Sequence, residues 1–229
     1  MEYHSRFMFK FENQKHWLLL LYVPFYLLWF TFLEKTVQTQ FHVIHMEIDN
    51  YIPFCEFFIV PYLLWFAYIA ITVLFMGFRD KSEYYRLCAF LFTGMTIFLI
   101  ISTLYPNGHY LRPTVFERDN IFTKLCSLLY QADTATNLFP SIHVYNSIGV
   151  HIAIVKSKTT CNNKFVHIGS AVLMISIILS TVFLKQHSVF DLLTGVLTAL
   201  VIYQIVYVRV WEKQIIHLGK TTAGKRALS

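Results

Sequence analysis

The sequence predicts an all-α bundle built for a membrane, and three observations carry that prediction. Of 229 residues, 56% are hydrophobic and only 14% are charged, where a soluble domain carries about 25% charged residues. Mean hydropathy is +0.51. Apolar runs long enough to cross a hydrocarbon layer about 30 Å thick recur along the whole length, separated by short polar turns. No internal repeat, low-complexity tract or soluble linker interrupts them. One integral-membrane domain over residues 1–229 is expected, with six spans.

Residues 1–16 are polar and aromatic, with Arg6, Lys10 and Lys15, and suit equally a short amphipathic arm on the membrane surface or a plain flanking tail. The first span is residues 17–33. Pro24 lies within it, as membrane helices tolerate. This run is long and aromatic-rich and lacks a small-residue cleavage pattern, so it does not read as a cleavable signal. Residues 34–56 form an acidic loop with Glu34, Glu47, Asp49 and Glu56. The second span is 57–78, a basic turn covers 79–86, and the third span is 87–104. Residues 105–140 are the longest polar connection, with a turn at Pro106-Asn107-Gly108 and a short interfacial helix at 122–129. The fourth span, 142–155, is short and carries His143, Asn146 and His151. Polar side chains within a span face a protein interior or a cavity by default. A basic loop at 156–164, a fifth span at 166–184, a tight turn at 185–188, a sixth span at 191–208 and a basic tail complete the chain.

Lysine and arginine are unevenly shared between the two faces that six spans create. The arm, the 79–86 turn, the 156–164 loop and the tail fall together and are all basic, so that face is cytoplasmic and holds both termini. The net charge of +6 orients the chain and meets anionic lipid, not nucleic acid. The acidic loop, Arg112, Ser141, His143, Lys185 and His187 fall on the extracytoplasmic face. Cys126 lies outside and Cys161 inside, so the four scattered cysteines form no disulfide framework.

The chemistry-bearing stretch is Ser180-Thr181-Val182-Phe183-Leu184-Lys185-Gln186-His187-Ser188-Val189-Phe190-Asp191. His187 and Asp191 stand four apart at an expected helix start, so one helical turn places them on a shared face. The carboxylate then orients the imidazole, as an acid does in a catalytic triad. A phosphate further needs cations, backbone amides and a proton donor for its leaving oxygen. Arg112 is a planar bidentate donor stiffened by Pro113. Ser141 is placed to cap the helix after Pro140 and to build an anion site with its first amides. His143 on the first turn can protonate a leaving alkoxide, His187 can attack phosphorus, and Lys185 can neutralise a second oxygen. Ten histidines admit a metal in principle, but none pairs with a carboxylate cluster at ligand spacing. His42 and His45 stand three apart in the acidic loop with ill-defined neighbours. His109 reads as structural or close to substrate.

These three segments resemble the signature of the type 2 phosphatidic acid phosphatase superfamily: Lys-x6-Arg-Pro, then Pro-Ser-Gly-His, then Ser-Arg-x5-His-x3-Asp. The chain has Arg112-Pro113, Pro140-Ser141-Ile142-His143, and Ser180-Thr181 followed by His187 and Asp191. The likeness covers roughly residues 105–200, and the third motif is its specific part. It implies a six-helix membrane bundle of that type and a metal-independent, cofactor-free enzyme. In it His187 would form a phosphohistidine, Asp191 would support it, His143 would be the general acid, and Arg112 and Ser141 would bind phosphate. The family lysine falls on Tyr105, the glycine on Ile142 and the arginine on Thr181. Lys185, one helical turn after Thr181, is expected to restore a charge; Lys185→Met should then cut turnover as strongly as Arg112→Ala.

The expected activity is hydrolysis of a membrane lipid phosphate on the extracytoplasmic face. Substrates of that class are phosphatidic acid, a related phospholipid, or a polyprenyl mono- or diphosphate. Phe-Pro-Ser-x-His with Lys-Gln-His also resembles the branch containing inositol-phosphorylceramide and sphingomyelin synthases. That likeness implies a lipid head-group phosphotransferase as the alternative. A non-catalytic membrane protein retaining the fold is the third reading. The sequence leaves the oligomeric state open.

Overall fold

The computed structural model describes residues 15–37 and 40–209, and helices dominate them. A 3-10 segment, Lys15–Leu21, leads into α1 (Tyr22–Thr36). β1 (His42–Val43) and a single turn, α2 (Ile48–Tyr51), follow. A second 3-10 turn, Glu56–Phe58, enters α3 (Ile59–Arg79), and α4 (Lys81–Leu104) comes next. β2 (Asn107–Gly108) and α5 (Ile121–Ala132) occupy the long connection. Then come α6 (Ile142–Lys156), α7 (Lys164–Phe183) and α8 (Val189–Tyr203), the last running on as a π-helix, Gln204–Arg209. Arg6, Lys10 and the tail charges beyond Arg209 fall outside the described residues.

Among the described residues, five helical stretches are long and apolar enough to cross a bilayer: Lys15–Thr36, Glu56–Arg79, Lys81–Leu104, Lys164–Phe183 and Val189–Val208. Their outward faces are greasy; Leu28, Phe66 and Leu197 are each more than half exposed. A helix satisfies its own backbone, so such a surface is stable against lipid but not against water. The chain is a multi-pass membrane protein.

The remaining expected span, α6, has 15 residues. At 1.5 Å per residue it rises about 22 Å, short of a hydrocarbon core. It lies inside the bundle, packed against α3, α4, α7 and α8. Gly94 on α4 permits the closest approach: a Cβ there would stand 2.0 Å from the Tyr145 ring. Tyr145 stacks on Phe90 at 4.6 Å and donates its hydroxyl to the Phe90 carbonyl at 2.6 Å. Burying an aromatic with its polar tip satisfied makes that seam a strong packing contact.

Two sequence boundaries are corrected. Residues 81–86 are not a turn but the first turns of α4. Asp80 is the whole break after α3, and its carboxylate accepts from the Ser82 and Glu83 amides at 2.8 and 3.1 Å. This caps the orphan donors of a new helix at once. The interfacial helix is also longer than 122–129: Asn120 and Thr123 form a capping box that starts it at Ile121. All four cysteines are unpaired.

Successive long helices alternate in direction, so six termini gather at one end. They are the carboxy-terminal ends of α1, α4 and α7 and the amino-terminal ends of α3, α6 and α8. Cross-links at that end are explicit. The Cys55 amide donates to the Phe183 carbonyl at 3.0 Å. β1 and β2 pair in parallel, His42 with Asn107 and Val43 with Gly108. Glu34, from α1, accepts from the Asn137 side chain at 3.0 Å and from the Thr134 amide at 3.1 Å. α5 lies over this end, with Cys126 packed into a buried cluster of Ile59, Tyr62 and Leu184. At the opposite end Glu83 accepts from the Lys158 amide at 2.8 Å, and His16 donates to the Gly77 carbonyl at 3.1 Å.

Candidate functional site

The site begins with two helix starts held side by side. Ser141 is the N-cap of α6; its hydroxyl accepts from the Val144 amide at 3.5 Å, the long limit of such a bond. Its amide donates to the Asp191 carbonyl at 3.2 Å. Gly195 allows this contact, because a Cβ there would lie 2.8 Å from the Ser141 carbonyl oxygen. Ser188 caps α8, and Asp191 closes the capping box by accepting from the Ser188 amide at 3.0 Å. His187 therefore stands in the expected 185–188 turn, just before the helix; what is corrected is the expectation that one helical turn joins it to Asp191. The tight turn, not helical spacing, brings its Nδ1 within 3.5 Å of the Asp191 carboxylate.

The two histidines meet. The rings of His143 and His187 are 5.6 Å apart, centroid to centroid, and nearly edge to face at 61°. His143 is sandwiched against α3, with Tyr62 at 4.6 Å and Trp65 at 4.2 Å. His187 is 5% exposed. Burial, reinforced by the Arg112 guanidinium, pushes it down to about 3 from the ordinary histidine range, while the Leu138 carbonyl opposes the shift. The imidazole is thus neutral at pH 7, the form that carries a nucleophilic lone pair.

Arg112 is held from one side. Its guanidinium donates to the carbonyls of Asp133 (2.6 Å), Thr134 (2.9 Å) and Tyr130 (3.4 Å), which crowd the carboxy-terminal end of α5. A cation is favoured at unsatisfied helix carbonyls. The Tyr130 ring lies beneath it at 4.7 Å, and the Asp133 carboxylate is 3.9 Å away. Its other side touches the Gln186 side-chain oxygen through a short hydrogen bond. Burial lowers the guanidinium's proton affinity and Asp133 restores part of it; an arginine stays charged regardless.

Lys185 goes elsewhere. In the left-handed region with φ 52°, it sends its ammonium to the Asp49 carbonyl at 2.6 Å. Asp49 is 2% exposed. Its carboxylate accepts from the Ser188 hydroxyl (2.6 Å) and from the Val189 (2.8 Å) and Met46 (2.8 Å) amides. The structure thus brings His143, His187, Asp191, Arg112 and Ser141 together, and joins Lys185 to the loop that braces them. Tyr105 stacks on His42 at 4.2 Å. Thr181 turns its hydroxyl to the Ile178 carbonyl at 2.7 Å. His45 bonds Asn50 at 3.0 Å.

Sequence reasoning missed several supports. Asn107 is fully buried, and its side-chain oxygen accepts from the Leu138 and Phe139 amides at 2.8 and 3.0 Å, shaping the approach to Ser141. His109 accepts from the Leu111 amide at Nδ1 (3.2 Å), which leaves Nε2–H to donate to the Gln186 carbonyl (2.9 Å). Its role is to hold the loop. Burial pushes it down to about 4, so it is neutral too. The turn dipeptide signal covered Asn107, but nothing local in the sequence marked it, Asp49 or Gln186 as partners of the site.

Several buried polar atoms here lack a partner among the described residues: His143 Nδ1, His187 Nδ1, Asp191 Oδ1, Arg112 Nε and Gln186 Nε2. Buried polar groups are nearly always satisfied, and exceptions clustered in one place call for a ligand or water. Searched against protein-family models, curated proteins and solved structures, the chain matches none.

Proposed function

We propose that the protein is a metal-independent lipid phosphatase of the type 2 phosphatidic acid phosphatase kind. The observation that carries this reading is the His143–His187 ring pair, 5.6 Å apart, with Asp191 beside one ring and Arg112 joined to the same loop. In the first step a His187 nitrogen attacks phosphorus; the P–N bond forms as the bond to the lipid oxygen breaks. His143 takes up a proton from the bound phosphate monoester and gives it to that leaving oxygen. In the second step His143 takes a proton from water, the water oxygen attacks phosphorus, and the P–N bond breaks. Inorganic phosphate leaves with the proton from His143, and both rings return to their starting states. Asp191 stabilises the positive charge that His187 gains on attack, and Arg112 stabilises the phosphoryl oxygens. The substrate is a membrane lipid phosphate, reached from the bilayer.

The same reading takes α6 as a sixth crossing whose short length is covered by surrounding helices. Both termini then lie on the basic, cytoplasmic side and the site on the outer side of a cell membrane. A second reading has an observation of its own. With the Lys185 ammonium on Asp49, Arg112 is the cation left to the phosphate among the described site residues. One positive charge suits a phosphodiester, with one negative charge, better than a phosphomonoester dianion. That favours head-group transfer to a lipid alcohol.

A panel of lipid phosphates in detergent with EDTA, for the wild type and His187→Ala, tests the reading. Phosphate release by the wild type, lost on the order of 10³-fold or more in the variant, supports hydrolysis. Label passing to an added lipid alcohol supports transfer. No turnover of either kind rejects catalysis.

A further inference from the structure

We propose that the side-chain amide of Gln186 is a phosphate ligand, donating Nε2–H to a phosphoryl oxygen beside Arg112. This rests on the phosphoryl-transfer reading above and adds a residue to it.

Four observations support the assignment. First, Gln186 is immobilised at both backbone ends. Its amide donates to the Thr181 carbonyl at 2.9 Å, and its carbonyl accepts from His109 Nε2 at 2.9 Å. Second, its amide orientation is set by chemistry: the oxygen accepts from the Arg112 guanidinium, and a guanidinium has nothing but donors. The NH₂ group must therefore face away from Arg112. Third, that NH₂ is buried, on a residue 1% exposed, and has no acceptor among the described residues. A buried donor left unpaired is destabilising, and a bound acceptor removes that penalty. Fourth, the other site atoms without a hydrogen-bond partner among the described residues are Arg112 Nε, His143 Nδ1, His187 Nδ1 and Asp191 Oδ1. Arg112 Nε and Gln186 Nε2 are both N–H donors. A tetrahedral oxyanion is a group of acceptors that can answer several donors at once.

The nearby alternatives, Lys185 in the loop and Thr181 at the end of α7, are already engaged. The Lys185 ammonium bonds the Asp49 carbonyl, and the Thr181 hydroxyl bonds the Ile178 carbonyl. Gln186 is the loop residue whose donor is spare. It is neutral, so it holds the phosphoryl group without adding to the charge already borne by Arg112. It also links the anion to the nucleophile, because His187 is the next residue in the chain.

The test is orthovanadate binding by the full-length protein in detergent, followed by calorimetry, for the wild type, Gln186→Leu and Gln186→Glu. Vanadate mimics the five-coordinate phosphoryl group without needing a chosen lipid. Gln186→Leu removes the donor and the contact to Arg112. Gln186→Glu keeps an acceptor for Arg112 while removing the donor and adding a negative charge. Both variants should bind at least about tenfold more weakly, the loss expected for one hydrogen bond to a charged group. Their thermal unfolding should stay close to that of the wild type. Wild-type affinity in Gln186→Leu overturns the proposal. Should that variant fail to fold, wild-type affinity in Gln186→Glu overturns it equally. If the wild type itself binds no vanadate, the phosphoryl-site reading falls, and this inference falls with it.

Discussion

In the proposed mechanism His187 must be neutral when it attacks, and burial favours that form. Its depressed proton affinity (about 3) and that of His109 (about 4) also bear on stability. Both folded values lie below the ordinary value of 6.5, so the unfolded chain binds more protons as the pH falls below it. The stabilisation is complete above about pH 6.5 and is lost progressively toward pH 4 and 3. Asp133 pulls the other way: burial raises it to about 6 against the opposing Arg112 charge. Its contribution is therefore greatest in acid and is lost as the pH rises through 6. Comparing variants removes that common background. The unfolding temperature of the wild type in detergent should fall more between pH 7.5 and 5 than that of His109→Gln. Glutamine can keep both loop contacts of the ring without taking a proton; equal falls would refute the account of His109. At this scale the sequence was informative where chemistry is local. The spacing of His187 and Asp191, and Pro140-Ser141-Ile142-His143, named residues that do converge. Gln186 and Lys185 were neighbours with reversed prospects. A lysine's charge is legible in sequence, but the carbonyl 136 positions away that takes its ammonium is not.

The elements at the end of the bundle that carries the site are joined by polar contacts between segments far apart in the chain. Asp49, on a single helical turn, satisfies the first amide of α8, the Ser188 hydroxyl and the Met46 amide. Replacing it with alanine strands buried donors and removes a support from the loop that carries His187. Asp49→Ala should lower stability by about 3 kcal/mol, read as a lower unfolding temperature, whereas Asp49→Asn should retain more than half of it. Equal stability of Asp49→Ala and wild type would contradict the brace. Helix existence was legible because apolar runs of this length leave few options in a membrane. Helix starts were less so. Lys81 to Arg86 looked like a turn because it is polar, yet Asp80 caps a helix whose first turns stand beyond the apolar stretch. The Gly195 contact with Ser141 was invisible, since a glycine in an apolar run gives no hint of what it touches.

At the scale of the molecule, the alternation of helix directions does the assembling. It delivers Arg112, His143, His187 and Asp191, from three stretches of chain, to one end of the bundle, and α5 and the β1–β2 pair cover it. The charge asymmetry that oriented the chain in the sequence draws partly on residues 1–14 and 210–229, so the basic segments at 79–86 and 156–164 carry most of it within the described residues. The membrane-crossing character was legible as a pattern of apolar runs, and five of the described stretches meet it; the shortness of α6 was legible in its length, but its enclosure was not, because sequence does not say which helices surround it. The central claim is that His187 becomes covalently phosphorylated. Its most direct measurement is to expose the full chain in detergent with EDTA to phosphatidic acid labelled with ³²P in the phosphate, and to quench within the first turnovers. The account predicts protein-bound label that is stable to base and labile to acid, present in the wild type and absent in His187→Ala. Turnover that proceeds without such label, or label that persists in His187→Ala, would contradict it.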